Sequence, residues 1–184
     1  KLLALAGELA QKNGWLIVDE AFADFMPENS IAGEVAGREN LVVLKSVGKF
    51  FGLAGLRVSA AITPSAWEVW LQMVLGSWPI STSACLQLPA MFADISWAEK
   101  ARNQLAGEAE NWRELLQQHF TIIGHTPLFT LVETENPEQD ADFWYEKLAR
   151  QGILVRKFAY NNKWLRFGLP HSKDVQRIAS ALQG

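Results

Sequence analysis

From Lys45 to Arg57 the chain reads Lys-Ser-Val-Gly-Lys-Phe-Phe-Gly-Leu-Ala-Gly-Leu-Arg. It offers a hydroxyl at Ser46, an amine three residues on at Lys49, and a guanidinium at Arg57, eight residues past that lysine. A hydroxyl and a charged planar fork are donor types that bind a phosphate. Gly48, Gly52 and Gly55 let the backbone approach a ligand closely. The apolar residues around Lys49 predict burial, which favours the neutral, nucleophilic form of an amine. A carboxylate, Asp19, ends a second apolar stretch upstream. Gly48-Lys49 is not a Walker A loop, because Val43 stands where the first glycine is required and Phe50 where Ser or Thr is. The plain alternatives are a glycine-rich turn with a surface lysine and, for Asp19, a turn cap.

These groups need a sheet behind them. Trp15–Val18 is a continuous apolar run with β-branched residues, the pattern of a buried strand in a parallel sheet. Ligands of such sheets bind beyond the carboxyl ends of the strands, where Asp19 falls. Leu41–Leu44 predicts the strand that delivers the lysine loop, and Val58–Ile62 predicts another. A helix with Leu2, Leu5, Ala6 and Leu9 on one face precedes them, closed by Asn13-Gly14. Residues 24–40, broken by Pro27, Gly33 and Gly37, read as a loop with a short helix. Pro64 opens a helix to Leu75 with Trp67, Trp70, Leu71 and Val74 on its apolar side. Ser81 or Thr82 caps a helix to about Asp94, and Ser96-Trp-Ala-Glu99 is a capping box opening a long helix to about His119.

The pattern then changes. Phe120–Ile123, Leu128–Glu133, Ile153–Val155 and Trp164–Phe167 predict strands. One helix runs from Asn136-Pro137 to Gly152, and a last one, capped by Ser172, to about Leu182. Short strands with two helices suit a small α+β domain. The whole is an α/β chain with a boundary between residues 1–95 and 96–184.

The 184 residues are 49% hydrophobic, enough for a sizeable core. A net charge of −3 without a basic stripe gives no reason to expect nucleic acid, and no apolar run reaches membrane-spanning length. The lone cysteine, Cys85, allows no internal disulfide and fits a cytoplasmic protein. His119, His125 and His171 have no metal-ligand spacing. Eight scattered tryptophans are expected in cores or at an interface. A helix beginning at once after Lys1 suggests that the chain starts inside a larger protein.

The stretch Ser46-x-x-Lys49-x-Phe51-Gly52-Leu53-Ala54-Gly55-x-Arg57 resembles the lysine loop of pyridoxal-phosphate enzymes of the aspartate aminotransferase fold. Val18-Asp19-Glu20-Ala21-Phe22 resembles their V-D-E-A-[FY] motif. The resemblance covers nearly the whole chain and implies the C-terminal half of the fold: part of the large cofactor domain, then a small C-terminal domain. It implies that Lys49 holds the cofactor covalently, that Asp19 pairs with its pyridine nitrogen, and that Ser46 and Arg57 bind its phosphate. Arg166, in Trp164-Leu-Arg-Phe-Gly168, matches the arginine that grips the substrate carboxylate. Arg156, in Gly152-Ile-Leu-Val-Arg156, is a candidate for a substrate phosphate and equally for a plain surface arginine. The chain departs from many relatives at Phe22, where tyrosine is common, and at Ser59, where glycine is. The upstream glycine-rich phosphate loop, stacking aromatic and asparagine of relatives have no counterpart here. A homodimer is implied.

Trp78-Pro79-Ile80-Ser81 resembles threonine-phosphate decarboxylases of cobalamin biosynthesis more than the P-Y-N-V-N of histidinol-phosphate aminotransferases. A plain interhelix linker whose Trp78 fills a core gap is the simpler alternative. Decarboxylation of threonine phosphate to aminopropanol phosphate is thus the first expectation and an aminotransferase the second. A regulatory cofactor-binding module or inactive fragment is the third.

Overall fold

The computed structural model describes residues 1–183. Two compact units follow one another, Lys1–Ser96 and a second from Trp97 onward.

The first unit is built on a three-stranded sheet in the order β1 (Leu16–Asp19), β2 (Leu41–Ser46), β3 (Ser59–Ile62). β1 and β2 are parallel, with Asp19 opposite Leu44; β3 is antiparallel to β2, with Ser59 opposite Ser46. Each of the three predicted strands is present: the first is displaced by one residue, the second extended by two and the third shortened by one. Helix α1 (Leu2–Ala10) precedes β1, and Asn13, at φ 54°, turns the chain into it. Leu41 and Val43 are fully buried on one face of β2. Val35 from the β1–β2 connection joins them, with Leu16, Val18 and Ile31 packed around. That connection, expected as a loop with one short helix, forms three 3-10 turns: Ala23–Phe25, Pro27–Asn29 and Ala32–Gly37. Pro27, Gly33 and Gly37 prevent a longer α-helix.

Helix α2 (Ser65–Leu75) packs Trp67 edge-on against Trp15 at 4.7 Å but leaves Trp70 and Val74 half or more exposed, so its apolar stripe is only partly packed within this unit. Ser81 caps α3 (Thr82–Ala93) by accepting the Ala84 N–H at 3.3 Å, as expected. Helix α4 spans Ile95–Gln117, so Ser96 already lies inside its first turn and the predicted capping box does not form the start. Among the described residues no helix is long and apolar enough to cross a membrane.

The second unit is an antiparallel sheet in the order β4 (Thr121–His125), β5 (Phe129–Glu133), β7 (Asn161–Gly168), β6 (Arg156–Phe158). Trp112 and Leu116 of α4, Trp144 and Leu148 of α5 (Ala141–Ala149) and Ile178 of α6 (Ser172–Gln183) pack with Val132, Leu165 and Phe167 as one core. Three helix and strand expectations shift. Asn136 caps only a 3-10 turn, and α5 starts from Asp140, whose Oδ1 accepts the Asp142 and Phe143 N–H groups. Ile153–Val155 is not a strand: Ile153 is buried in the core, and the edge strand begins at Arg156. Ser172 is the first helical residue of α6, and His171 holds the cap position through its Nδ1, 3.4 Å from the Lys173 nitrogen.

Candidate active site

The sheet of the first unit gathers four of the predicted groups at one end. Asp19 closes β1 and Ser46 closes the parallel β2. Arg57 precedes the antiparallel β3 by two residues, so it enters at the same end. Lys49 lies on the loop leaving β2. Alternation puts Ile17, Asp19, Leu44 and Ser46 on one face, and Leu16, Val18, Leu41 and Val43 on the packed one.

The loop between β2 and β3 is held by local bonds and aromatic packing. Ser46 Oγ accepts the Gly48 N–H at 3.2 Å, and Leu53 N–H donates to the Val47 carbonyl at 3.2 Å. A Cβ on Gly48 would sit 3.1 Å from Ala54 Cα, so glycine permits this fold-back. Phe50 is buried; it packs edge-on against Phe25 and Phe51, and Phe51 against Phe92 of α3. Gly52 adopts φ 68°. Arg57 adopts φ 53°, a conformation that residues with a Cβ seldom hold.

Lys49 itself is exposed, against the expectation of burial: the neighbours that turn inward are Val47 and Phe50. Its Nζ stands 5.5 Å from the centre of the half-exposed Phe22 ring. Asp19 Oδ1 accepts the Ala21 N–H at 2.9 Å, and Arg57 Nη1 donates to the Ala54 carbonyl at 3.4 Å. Carboxylate, amine, hydroxyl and guanidinium therefore share one exposed sheet end, a donor set suited to a phosphorylated, aldehyde-bearing pyridine.

Arg156 and Arg166 lie in the second unit, directly opposite each other on β6 and β7. Leu165 and Phe167 turn into the core, so Arg166 between them takes the other face. Its guanidinium carbon stands 4.7 Å from the Phe129 ring centre, and Arg156 lies 5.7 Å from that of Phe158. Both arginines line a hollow of about 590 Å³ with Phe129, Tyr145, Lys157 and Gly168.

Trp78, in the connector between α2 and α3, is 92% exposed and fills no core gap. Of the eight tryptophans, Trp112 and Trp144 are buried, while Trp15, Trp70 and Trp97 join Trp78 among the exposed residues.

Sequence reasoning missed a cluster beside the site. Glu20, only 6% exposed, accepts Ser30 Oγ–H at 2.5 Å and Ile31 N–H at 2.7 Å. Lys45 Nζ lies 3.1 Å from Glu20 Oε2 and 3.0 Å from Asp24 Oδ1. Burial alone pushes the Glu20 carboxyl up, but the bonds from Ser30 and Ile31 and the ammonium of Lys45 outweigh it and hold it below its ordinary value. Burial likewise pushes Lys45 down, and Asp24 and Glu20 together raise it. Strand alternation at Val-Asp-Glu and Leu-Lys-Ser was the available signal.

The family model for aminotransferase class I and II matches residues 1–182. The chain belongs to the class I and II aminotransferase family. Its fold is the mixed α/β fold of pyridoxal-phosphate-dependent aminotransferases, and pyridoxal phosphate is the cofactor of this family. A threonine-phosphate decarboxylase of Sinorhizobium sp is 38% identical over 99% of this chain and 54% of its own length. A histidinol-phosphate aminotransferase of Francisella philomiragia subsp. philomiragia is 30% identical over 91% of this chain and 47% of its own. The crystal structure of the histidinol-phosphate aminotransferase from Clostridium acetobutylicum superposes with a TM-score of 0.87 at 22% identity. It covers 100% of this chain and 57% of that one. The chain spans about half the length of the curated relatives it matches.

Proposed function

We propose that this chain carries the cofactor lysine of a pyridoxal-phosphate-dependent threonine-phosphate decarboxylase, which makes aminopropanol phosphate for cobalamin biosynthesis. The observation that carries this is the 38% identity to the Sinorhizobium decarboxylase across 99% of the chain, against 30% for the Francisella aminotransferase. The Trp78-Pro79-Ile80-Ser81 connector, with Trp78 exposed rather than packed, supports it.

In this reading Lys49 holds the cofactor covalently. Asp19, with one carboxylate oxygen fixed by the Ala21 amide, would hold its pyridine nitrogen. Ser46 and Arg57 take its phosphate, for which a hydroxyl and a guanidinium fork are suited. Phe22 has no hydroxyl to donate to the ring, and it packs near Lys49 instead. When bound, the cofactor supplies an electron sink for the pair left on the substrate α-carbon. Arg166 binds the substrate carboxylate and Arg156 the substrate phosphate. With the substrate so held, the bond between the α-carbon and the carboxylate would break, carbon dioxide would leave, and the electron pair left on that carbon would take up a proton from solvent. The working assembly is a homodimer.

Histidinol-phosphate aminotransfer is the second reading, favoured by the 30% identity over 91% of the chain. Incubating the full-length protein with threonine phosphate separates the two. Release of carbon dioxide with formation of aminopropanol phosphate is expected. Amino transfer to 2-oxoglutarate without carbon dioxide overturns the decarboxylase reading.

A further inference from the structure

Behind the sheet end that carries Asp19 and Ser46, the next residue of one strand meets the preceding residue of the other. Glu20 directly follows Asp19, and Lys45 directly precedes Ser46. The Glu20 N–H donates to the Leu44 carbonyl at 2.8 Å, which continues the β1–β2 ladder one step past Asp19. With Asp19 opposite Leu44, that step sets Glu20 beside Lys45, on the face opposite Asp19 and Ser46. There Lys45 bridges Glu20 Oε2 and Asp24 Oδ1 at 3.1 and 3.0 Å. Both side chains of the second pair are 19% exposed and Glu20 is nearly sealed, so water screens the bridge only partly.

The bridge closes a ring of structure. Asp24 lies in the 3-10 turn Ala23–Phe25, which Phe22 precedes. Ser30 and Ile31 seat the same Glu20 carboxylate against the next part of the connection. Phe25 of that turn packs on Phe50 of the lysine loop at 5.1 Å. One ammonium thus fastens the end of β1 and the turn after it to the end of β2.

We propose that Lys45, with Glu20 and Asp24, positions the cofactor site, holding Asp19 and Phe22 on one strand end at a fixed separation from Ser46 and Lys49 on the other. None of the three touches a reacting atom; they act through their neighbours in sequence. The inference rests on the reading of Asp19, Ser46 and Lys49 as cofactor residues. Removing the Lys45 ammonium releases the end of β2 from Glu20 and from the Asp24 turn, both of which belong to the β1 side.

The test uses the full-length protein. Lys45→Met keeps the apolar stem and removes the charge. It is expected to raise the cofactor dissociation constant about tenfold or more, the size seen when a group supporting a bound ligand is removed. The pH at which the bound cofactor's absorbance changes is expected to move as well. Lys45→Arg restores the cation and is expected to return both readouts to within about threefold of the parent, since arginine keeps the charge. If Lys45→Met does not fold, Glu20→Gln is measured instead; its one carbonyl oxygen can still accept from Ile31 N–H, while its amide nitrogen replaces the oxygen that faced Ser30 and Lys45, and it is expected to act in the same direction. A folded variant with a parent-like dissociation constant and absorbance titration, and only a lower melting temperature, refutes positioning and leaves a scaffold role. Borohydride reduction of the parent distinguishes the two levels: a label away from Lys49 overturns the cofactor reading itself. A label on Lys49 with unchanged variants overturns this inference alone.

Discussion

Replacing Arg166 with alanine separates substrate binding from folding, because the structure sets the two effects at different sizes. A hydrogen-bonded charged partner is worth about 1–3 kcal/mol. That corresponds to roughly a 5- to 150-fold loss of affinity for threonine phosphate. The folding side nearly cancels. Arg166 faces Arg156 directly across two antiparallel strands, and relieving a like-charge pair there gains about 0.2–1 kcal/mol. Losing the guanidinium over Phe129, at 4.7 Å, costs about 0.5–1 kcal/mol. Melting of the full-length variant should therefore stay close to that of the parent. Cofactor affinity should also stay unchanged, since Asp19, Ser46, Lys49 and Arg57 belong to the other unit. The assay is titration of cofactor-loaded protein with threonine phosphate, followed by the absorbance of the bound cofactor. Loss of the cofactor, or substrate affinity within about twofold of the parent, less than 1 kcal/mol, refutes the carboxylate role.

Three further outcomes are expected. Borohydride reduction of the loaded full-length protein, followed by peptide mapping, places the cofactor on Lys49, and a label on any other lysine removes that assignment. Residues 1–184 purified alone do not turn over threonine phosphate. Relatives are about twice as long, and loosened positioning costs about a hundredfold in rate; turnover by a preparation whose mass starts at Lys1 counts against this. Acid unfolding of the full-length protein has a contribution from Glu20: its carboxyl is lowered in the fold, so its stabilisation is complete above the unfolded value of about 4.3 and is lost as pH falls through the lowered one. Glu20→Gln should flatten the stability curve below that pH, and an unchanged acid limb would show that the carboxylate adds nothing there.

The parts of the fold that were legible in the sequence are those fixed by local chemistry. Apolar β-branched runs announced the strands that end at Asp19 and lead to Lys49, and Ser81 announced the start of α3. Helix starts with competing caps were less so: Asp140 displaced Asn136, and His171 stood where Ser172 was expected. Ile153–Val155 has a strand's composition, yet its first residue is taken by the helical core, and pairing begins only at Arg156. Residue type and motif picked out Asp19, Ser46, Lys49 and Arg57 but predicted the wrong exposure for Lys49, because burial depends on which neighbours the loop turns inward. The Glu20–Lys45–Asp24 bridge shows the deeper limit. Asp-Glu and Lys-Ser are adjacent pairs whose members point to opposite faces, so one of each pair serves the open side and the other the closed side. Which is which follows from the register of two strands 25 positions apart in the chain, and a shift of one residue would exchange them. The carboxylate and hydroxyl of the open face are thus defined by the same pairing that buries their neighbours, and a change on the closed face should be felt on the open one.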